Sequence, residues 1–539
     1  MSSRDIPSSL PDFVTGWTNH LADEITINKR KKQLIEEDQQ PADHEVVKKV
    51  EFKNLWPAFT CGAGLFSDGY VNASIGSVNT ILKIIYGKTY SNSHATSNVS
   101  SISFVGTVVG QLSFGYLSDN IARKGSLLLA NVMLIIFTVL SAVGTWGANG
   151  SPQGLFAALT TFRFFLGIAI GAEYPTGSVI ASEFANQLPS GKRNRYFIWA
   201  TNLMLASGYI VAAFVPLVLL WIFSERHLSV VWRLTLGLGA VPPFILFFMR
   251  LKLTDSSTFD KMHMKRAKVP YLLILKYYWF RLIIVSIIWF VYDFASFSFD
   301  TFSSAIINKV VHHGSLYKTF GWNTVFNLFS LPGCLIGALA ADYFGPRLTL
   351  ALGMGLQGVV GFIMATTYGS LREHTAPFVI VFGIFKTLGQ FGPGNNIGLL
   401  AAKTSSTSVR GQYYGIAAAV GKVGAFVGTW IFPVITKKYS GPEGNNLLGN
   451  QVPFYISSSL CIFAATIALF LCPSVGQDAI NREDENFLQY LADNNYDISQ
   501  LGNELVEEEY VSSGSSINIE NKSSKPTAKV SEKLEKSNL

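Results

Sequence analysis

Charge is scarce in this chain: of its 539 residues only 14% are Asp, Glu, Lys or Arg, and 49% are hydrophobic. A water-soluble domain carries about 25% charged residues, so the shortage excludes an ordinary soluble protein and points to a membrane protein. Cysteine is as sparse. Cys61, Cys334, Cys461 and Cys472 lie far apart, in or at the ends of apolar segments, which excludes a disulfide framework and a zinc site and leaves buried, inert thiols. No P-loop, no paired metal-ligand spacing and no Asp-Gly-x-x-Ala-Arg run of a CDP-alcohol transferase is present, although Asp68–Gly69 begins like the last. A membrane enzyme is therefore not expected, nor is a cofactor or metal. The polar opening segment, with its basic cluster Lys29–Lys32, precedes no apolar run within reach; no signal peptide is expected, and the N-terminus is expected in the cytoplasm.

What the chain does have is long apolar runs. Windows of about 20 residues, enough to cross a bilayer, fall near 55–82, 99–118, 126–146, 154–181, 196–222, 230–250, 280–305, 319–341, 348–368, 377–402, 411–436 and 452–472. The expectation is an all-α membrane protein of twelve transmembrane helices. The boundaries read as an N-terminal tail 1–54, a six-helix half 55–250, a central cytoplasmic loop 251–279, a second half 280–472 and an acidic tail 473–539, both tails disordered. The second tail holds Lys522 to Lys536 as candidate modification sites.

The tails sum to −9 and the chain to +7, so the stretch between them carries +16. With the N-terminus inside, the cytoplasmic links hold sixteen Lys/Arg and the opposite links and helix ends eight, which places both termini in the cytoplasm. Loop lysines and arginines thus account for much of the basic core, and no nucleic-acid partner is implied.

The two halves repeat one pattern. "GYLSDNIARKG" after the second span and "GALAADYFGPR" after the eighth each end an apolar helix with an aspartate, Asp119 or Asp342, then a base, Arg123 or Arg347. Applying their offset to Asp68 lands two residues from Asp293. Two pseudo-symmetric six-helix halves place a substrate site at the midplane between them.

On these residues the chain resembles a major facilitator superfamily transporter. Gly115, Leu117, Asp119, Arg123 and Lys124 match the superfamily's signature between helices two and three, with Ala122 at its usual glycine, and "RFFLGIAIG" resembles the fourth-helix signature. Within the superfamily, "GAEYPTGSVIASE", "LFSDGY", "WFVYD", "FGPGNN" and "GKVGA" are similar in order to the proton-coupled phosphate symporters. Glu173 stands for their fourth-helix Asp, Phe297 for a seventh-helix Tyr, Gly394 for an Asn and Val71 for a first-helix Asp. These departures point away from a plain inorganic phosphate site. The overall pattern is most like fungal glycerophosphodiester permeases, which implies proton-coupled uptake of glycerophosphocholine or glycerophosphoinositol across the plasma membrane by a monomer. Inorganic phosphate:proton symport is the alternative cargo, and a non-transporting nutrient sensor on the same fold is a second alternative.

The residues can be weighed without the family. All eight histidines fall in tails, loops or helix ends, so proton coupling rests on carboxylates: Asp68, Glu173 and Asp293, with Asp300 also within a span. A buried carboxylate at membrane depth is costly and functional by default. Glu173 is favoured because Gly167 and Gly171 let another helix approach. Its structural alternative, an ion pair with Arg163, is ten residues or about 15 Å away on the same helix. Trp289, Asp293, Phe297 and Asp300 share one face of the seventh helix, and a face with two carboxylates must look inward.

Asp293 would accept a hydrogen bond from a hydroxyl, orient a lysine, or bind the proton; Phe297 either packs or makes room for an alcohol head group. Lys422, which matches the family's phosphate lysine, and Lys386 are the deep cations of the second half. Lys386 binds the substrate or neutralises Asp300 or Asp68. Asn395 and Asn396, after a Gly-Pro-Gly interruption, are polar contacts or helix-to-helix glue, and Tyr174 and Asn202 are similar. Asp119, Arg123, Asp342 and Arg347 are expected at the cytoplasmic gate. Choline is slightly favoured by the acidic, aromatic seventh-helix face, and inositol by the asparagines.

Overall fold

The computed structural model describes residues 52–501 except 92, 122, 189–190, 254–258, 260–261, 265–267, 312–314, 441–446, 474, 477–478 and 499–500. Expectations for 1–51 and 502–539, the lysines Lys522 to Lys536 included, lie outside the described residues. Among those described, the regular structure is helical throughout.

Twelve long elements follow one another: α1 (Gly64–Tyr86, preceded by Phe52–Gly62), α2 (Ala95–Asn120), α3 (Arg123–Val143), α4 (Pro152–Asn186), α5 (Arg193–Phe223), α6 (Glu225–Leu251), α7 (Tyr271–Val310), α8 (Leu316–Tyr343), α9 (Pro346–Thr366), α10 (Thr375–Lys403), α11 (Arg410–Lys438) and α12 (Leu447–Leu471). Ten are long and apolar enough to span a membrane. The other two, α1 and α2, are studded with Ser, Thr, Asn and Gln, and α1 is buried along most of its length. Such helices can cross a bilayer only inside the bundle, where their polar groups find protein partners.

Packing repeats with a shift of six. Helices α1 and α5, α2 and α4, and α3 and α6 pair in the first half, as α7 and α11, α8 and α10, and α9 and α12 do in the second; α2 with α11 and α5 with α8 join the halves. The outer helices show apolar stripes to the surroundings. On α3 these are Leu129, Val132, Ile136, Val139 and Val143, and on α9 Leu352, Leu356, Val359 and Ile363, all exposed. Spacings of three and four put each set on one face, a face that belongs against lipid.

Two boundaries differ from the sequence reading. The seventh helix begins at Tyr271, nine residues before the expected span, because no Gly or Pro interrupts 271–310 and Pro270 marks the stop. The tail from 473 is not disordered throughout: Ala479–Asp493 forms a helix, α13, with Ile480, Phe487, Leu488 and Leu491 buried on one face. Phe487 packs on Tyr277 and Tyr278 of α7, and Asp484 accepts hydrogen bonds from Ser406 Oγ (2.8 Å), Thr407 N (2.6 Å) and Thr407 Oγ1 (2.7 Å) in the α10–α11 link.

A polar cavity between the halves as the candidate functional site

Helices α4 and α10 occupy equivalent places in the two halves, and both carry a wide π turn at a proline: Tyr174–Ser178 around Pro175, and Gln390–Gly394 around Pro393. Proline lacks the N–H that a regular turn needs, and such bulges gather at functional sites. Tyr174, Gln390, Pro393 and Gly394 line a cavity between the halves.

Helix α7 supplies one wall. Trp289, Asp293, Phe297 and Asp300 all face the cavity, as their spacing predicts. Across from them, Lys422 of α11 places Nζ 3.1 Å from Asp293 Oδ2, 3.7 Å above the ring of Phe297 and 5.0 Å from that of Tyr174. The Tyr174 hydroxyl donates to Asp68 of α1, and Asn72 also donates to that carboxylate. Asp68, Tyr174, Lys422 and Asp293 therefore form one contiguous polar cluster spanning both halves. A second pair lies further along α7, where Lys386 Nζ sits 2.5 Å from Asp300 Oδ1 and 2.9 Å from Asn327 Oδ1. Of the two partners sequence left open for Lys386, it meets Asp300.

On the other flank, Asn202 Nδ2 of α5 lies 2.7 Å from Asn395 Oδ1 and 3.0 Å from Gln390 Oε1, joining the halves. Asn396 is placed differently. Its amide donates to Gly392 O at 2.7 Å, bracing the π turn, and it does not line the cavity.

Glu173 also stands apart from the cavity. Arg250 grips it with two hydrogen bonds, 2.6 Å to Oε1 and 2.7 Å to Oε2. The same guanidinium reaches Asn131 Oδ1 (3.3 Å), Cys61 O (3.2 Å) and Thr60 O (3.4 Å), so the pair is a staple within the first half. A Cβ at Gly64 would fall on both the carboxylate and the guanidinium. Arg163 instead donates to Val99 O (2.8 Å) and Ser103 Oγ (3.2 Å), in keeping with its distance from Glu173. Sequence reading missed Arg250 because it counts there as one more loop base.

Of the expected gate residues, Asp119, Arg123 and Asp342 bridge the halves on the face where the α2–α3 link lies. Asp119 accepts from Gly411 N (3.1 Å) and Gln412 N (2.8 Å), the otherwise unpaired donors of the first turn of α11. Arg123 donates to Thr407 O (3.0 Å) and pairs with Glu183. Asp342 pairs with Arg195 in the first turn of α5, the pseudo-symmetric counterpart. Arg347 donates to Cys472 O, in its own half, at 3.4 Å. Glu183, which also lies 3.5 Å from Arg410, was unassigned by sequence. Its signal was a buried glutamate at the end of an apolar helix. On the opposite face Thr80 meets Ser304 (3.1 Å) and Tyr317 donates to Leu220 O (3.2 Å), so the halves touch on both sides of the cavity.

Residues 57–268 and 257–481 match the family described as sugar (and other) transporters. Three relatives in Candida albicans cover nearly the whole chain. The glycerophosphodiester transporter GIT2 is 60% identical over 93% of this chain and 94% of its own. The glycerophosphocholine permease GIT4 is 59% identical over 95% and 96%, and the major glycerophosphoinositol permease GIT3 is 59% identical over 93% and 94%. Among solved structures, the major facilitator superfamily proton:xylose symporter XylE aligns with a TM-score of 0.67 at 15% identity, covering 79% of this chain and 98% of that one.

Proposed function

The chain belongs to the sugar (and other) transporter family, and from that premise we propose that it carries glycerophosphodiesters inward across the plasma membrane together with protons, as a monomer with both termini in the cytoplasm. It is a transporter with the twelve-helix fold, not an enzyme. The observation that supports the cargo best is the Lys422–Asp293 pair in the cavity wall, with Asp68 and Tyr174 beside it. A phosphodiester carries one negative charge. Entering the cavity, it competes with Asp293 for Lys422, and a proton taken up by Asp293 or Asp68 offsets the charge it brings, because an uncompensated buried charge is strongly unfavourable. Glu173, held outside the cavity by Arg250, fixes the position of the adjacent Tyr174 rather than meeting the cargo.

Transport then needs the halves to rock about this site. Asp119, Arg123 and Asp342, with Arg195 and Glu183, hold the cytoplasmic side shut and must release for delivery. Inorganic phosphate would use Lys422 but leave the Asp300–Lys386 end of the cavity without a partner, which favours the larger diester. The test is uptake of labelled glycerophosphocholine and glycerophosphoinositol in cells lacking other carriers. Accumulation that excess unlabelled phosphate does not displace is expected. Equal displacement by phosphate would move the reading to a phosphate symporter, and signalling without accumulated label to a nutrient sensor.

A further inference from the structure

Two acid–base pairs meet at the cavity, Lys422–Asp293 with both members in its lining and Lys386–Asp300 with only the carboxylate there, and one suffices for a phosphodiester. Asp300 lies two helical turns, about 10 Å, beyond Asp293 along α7. Its partner Lys386 is satisfied by Asp300 and Asn327, so this end of the cavity is charge-balanced yet rich in hydrogen-bonding atoms. The side chain of Asp300 is 11% exposed against 4% for Lys386, which leaves the carboxylate as the more accessible member. The amide chain of Asn202, Gln390 and Asn395 lines the cavity as well, with Gln390 one helical turn after Lys386 on α10.

Rings beside the two carboxylates are already engaged. Lys422 lies over Phe297 and Tyr174, and Lys386 over Tyr209 and Phe326, at 4.7 Å each. Trp289 meets the edge of Tyr414 with centroids 5.4 Å apart and planes at 82°. A quaternary ammonium needs open aromatic faces or an unpaired carboxylate, and next to Asp293 and Asp300 lysines lie on the rings of Phe297, Tyr174 and Tyr209 and pair with the acids. A hydroxyl needs only what is there: a carboxylate acceptor, an ammonium donor and side-chain amides.

Resting on the glycerophosphodiester reading, we propose that the Asp300 carboxylate, held by Lys386, and the amide chain beside it form a subsite for vicinal hydroxyls, so that the cavity prefers a polyol head group such as inositol over choline. The acidic, aromatic face of α7 that favoured choline from sequence is thus turned to a different use by the lysines lying on its rings.

Competition in whole cells tests this without any variant: uptake of labelled glycerophosphoinositol is measured against unlabelled glycerophosphoinositol and glycerophosphocholine. Half-inhibition is expected at a concentration about tenfold or more lower for the inositol diester, the size of one hydrogen bond to a charged acceptor. In Asp300→Asn, KM for glycerophosphoinositol should rise by about the same factor, while that for glycerophosphocholine changes little. Choline diester competing equally or better, or both KM values rising together, overturns the subsite and leaves the glycerophosphodiester reading standing. Displacement by neither diester overturns both.

Discussion

At the scale of single residues, Asp68 and Glu173 illustrate how two carboxylates of similar depth take different parts. Asp68 touches Tyr174 and Asn72, hydrogen bonds that survive protonation with modest rearrangement. Asp68→Asn is expected to abolish accumulation of cargo against its gradient while leaving exchange of labelled for unlabelled cargo, read by counterflow in vesicles; retained uphill uptake would remove Asp68 from coupling. Glu173 is locked to Arg250, and removing one member of a buried pair costs roughly 3–5 kcal/mol. Glu173→Gln should therefore lose folded protein, seen as a lower melting temperature after extraction, and Glu173→Gln with Arg250→Met should recover it. A stable single variant that fails only at uphill transport would instead put Glu173 in the proton path. Sequence showed the inward face of α7 because helical spacing is visible along one segment. It did not show Arg250 or the Asn202–Asn395 contact, since partners brought together from distant helices leave no local pattern.

At the scale of elements, the π turns of α4 and α10 and the close approach of α2 to α4 determine where the cavity sits. A Cβ at Gly171 would meet the backbone of Thr107 and Gln111. Gly171→Leu should push α2 from α4 and deplete the protein from the membrane, as counted by immunoblot of membrane fractions; normal abundance would contradict that packing. The first turns of α5 and α11 are held by Asp342 and Asp119 from the other half. With Arg195→Cys and Asp342→Cys combined, oxidative cross-linking should stop transport and reduction restore it, whereas transport through the cross-linked protein would mean that this face need not open. The repeated Asp and base after α2 and α8 were legible as a motif. The stripe of Ile480, Phe487, Leu488 and Leu491 in α13 was equally present in the sequence, but the acidic composition around it hid a helix whose partner surface lies on α7.

At the scale of the whole molecule, the shift-by-six pairing of helices and the lipid-facing stripes of α3 and α9 follow from apolar length and period, which is why the two halves were readable from sequence. Helices α1 and α2 are the exception: their polar groups find partners on other helices of the bundle, within the first half for Tyr70 and Asn79 and in the second half for Thr80. In the proposed cycle a proton gradient drives a glycerophosphodiester through the cavity between these halves. The most direct measurement is uptake of labelled glycerophosphoinositol by the purified chain in liposomes whose interior is made alkaline. Transient accumulation above equilibrium, abolished by a protonophore, is the predicted result; uptake of the same extent with and without the gradient would contradict the account.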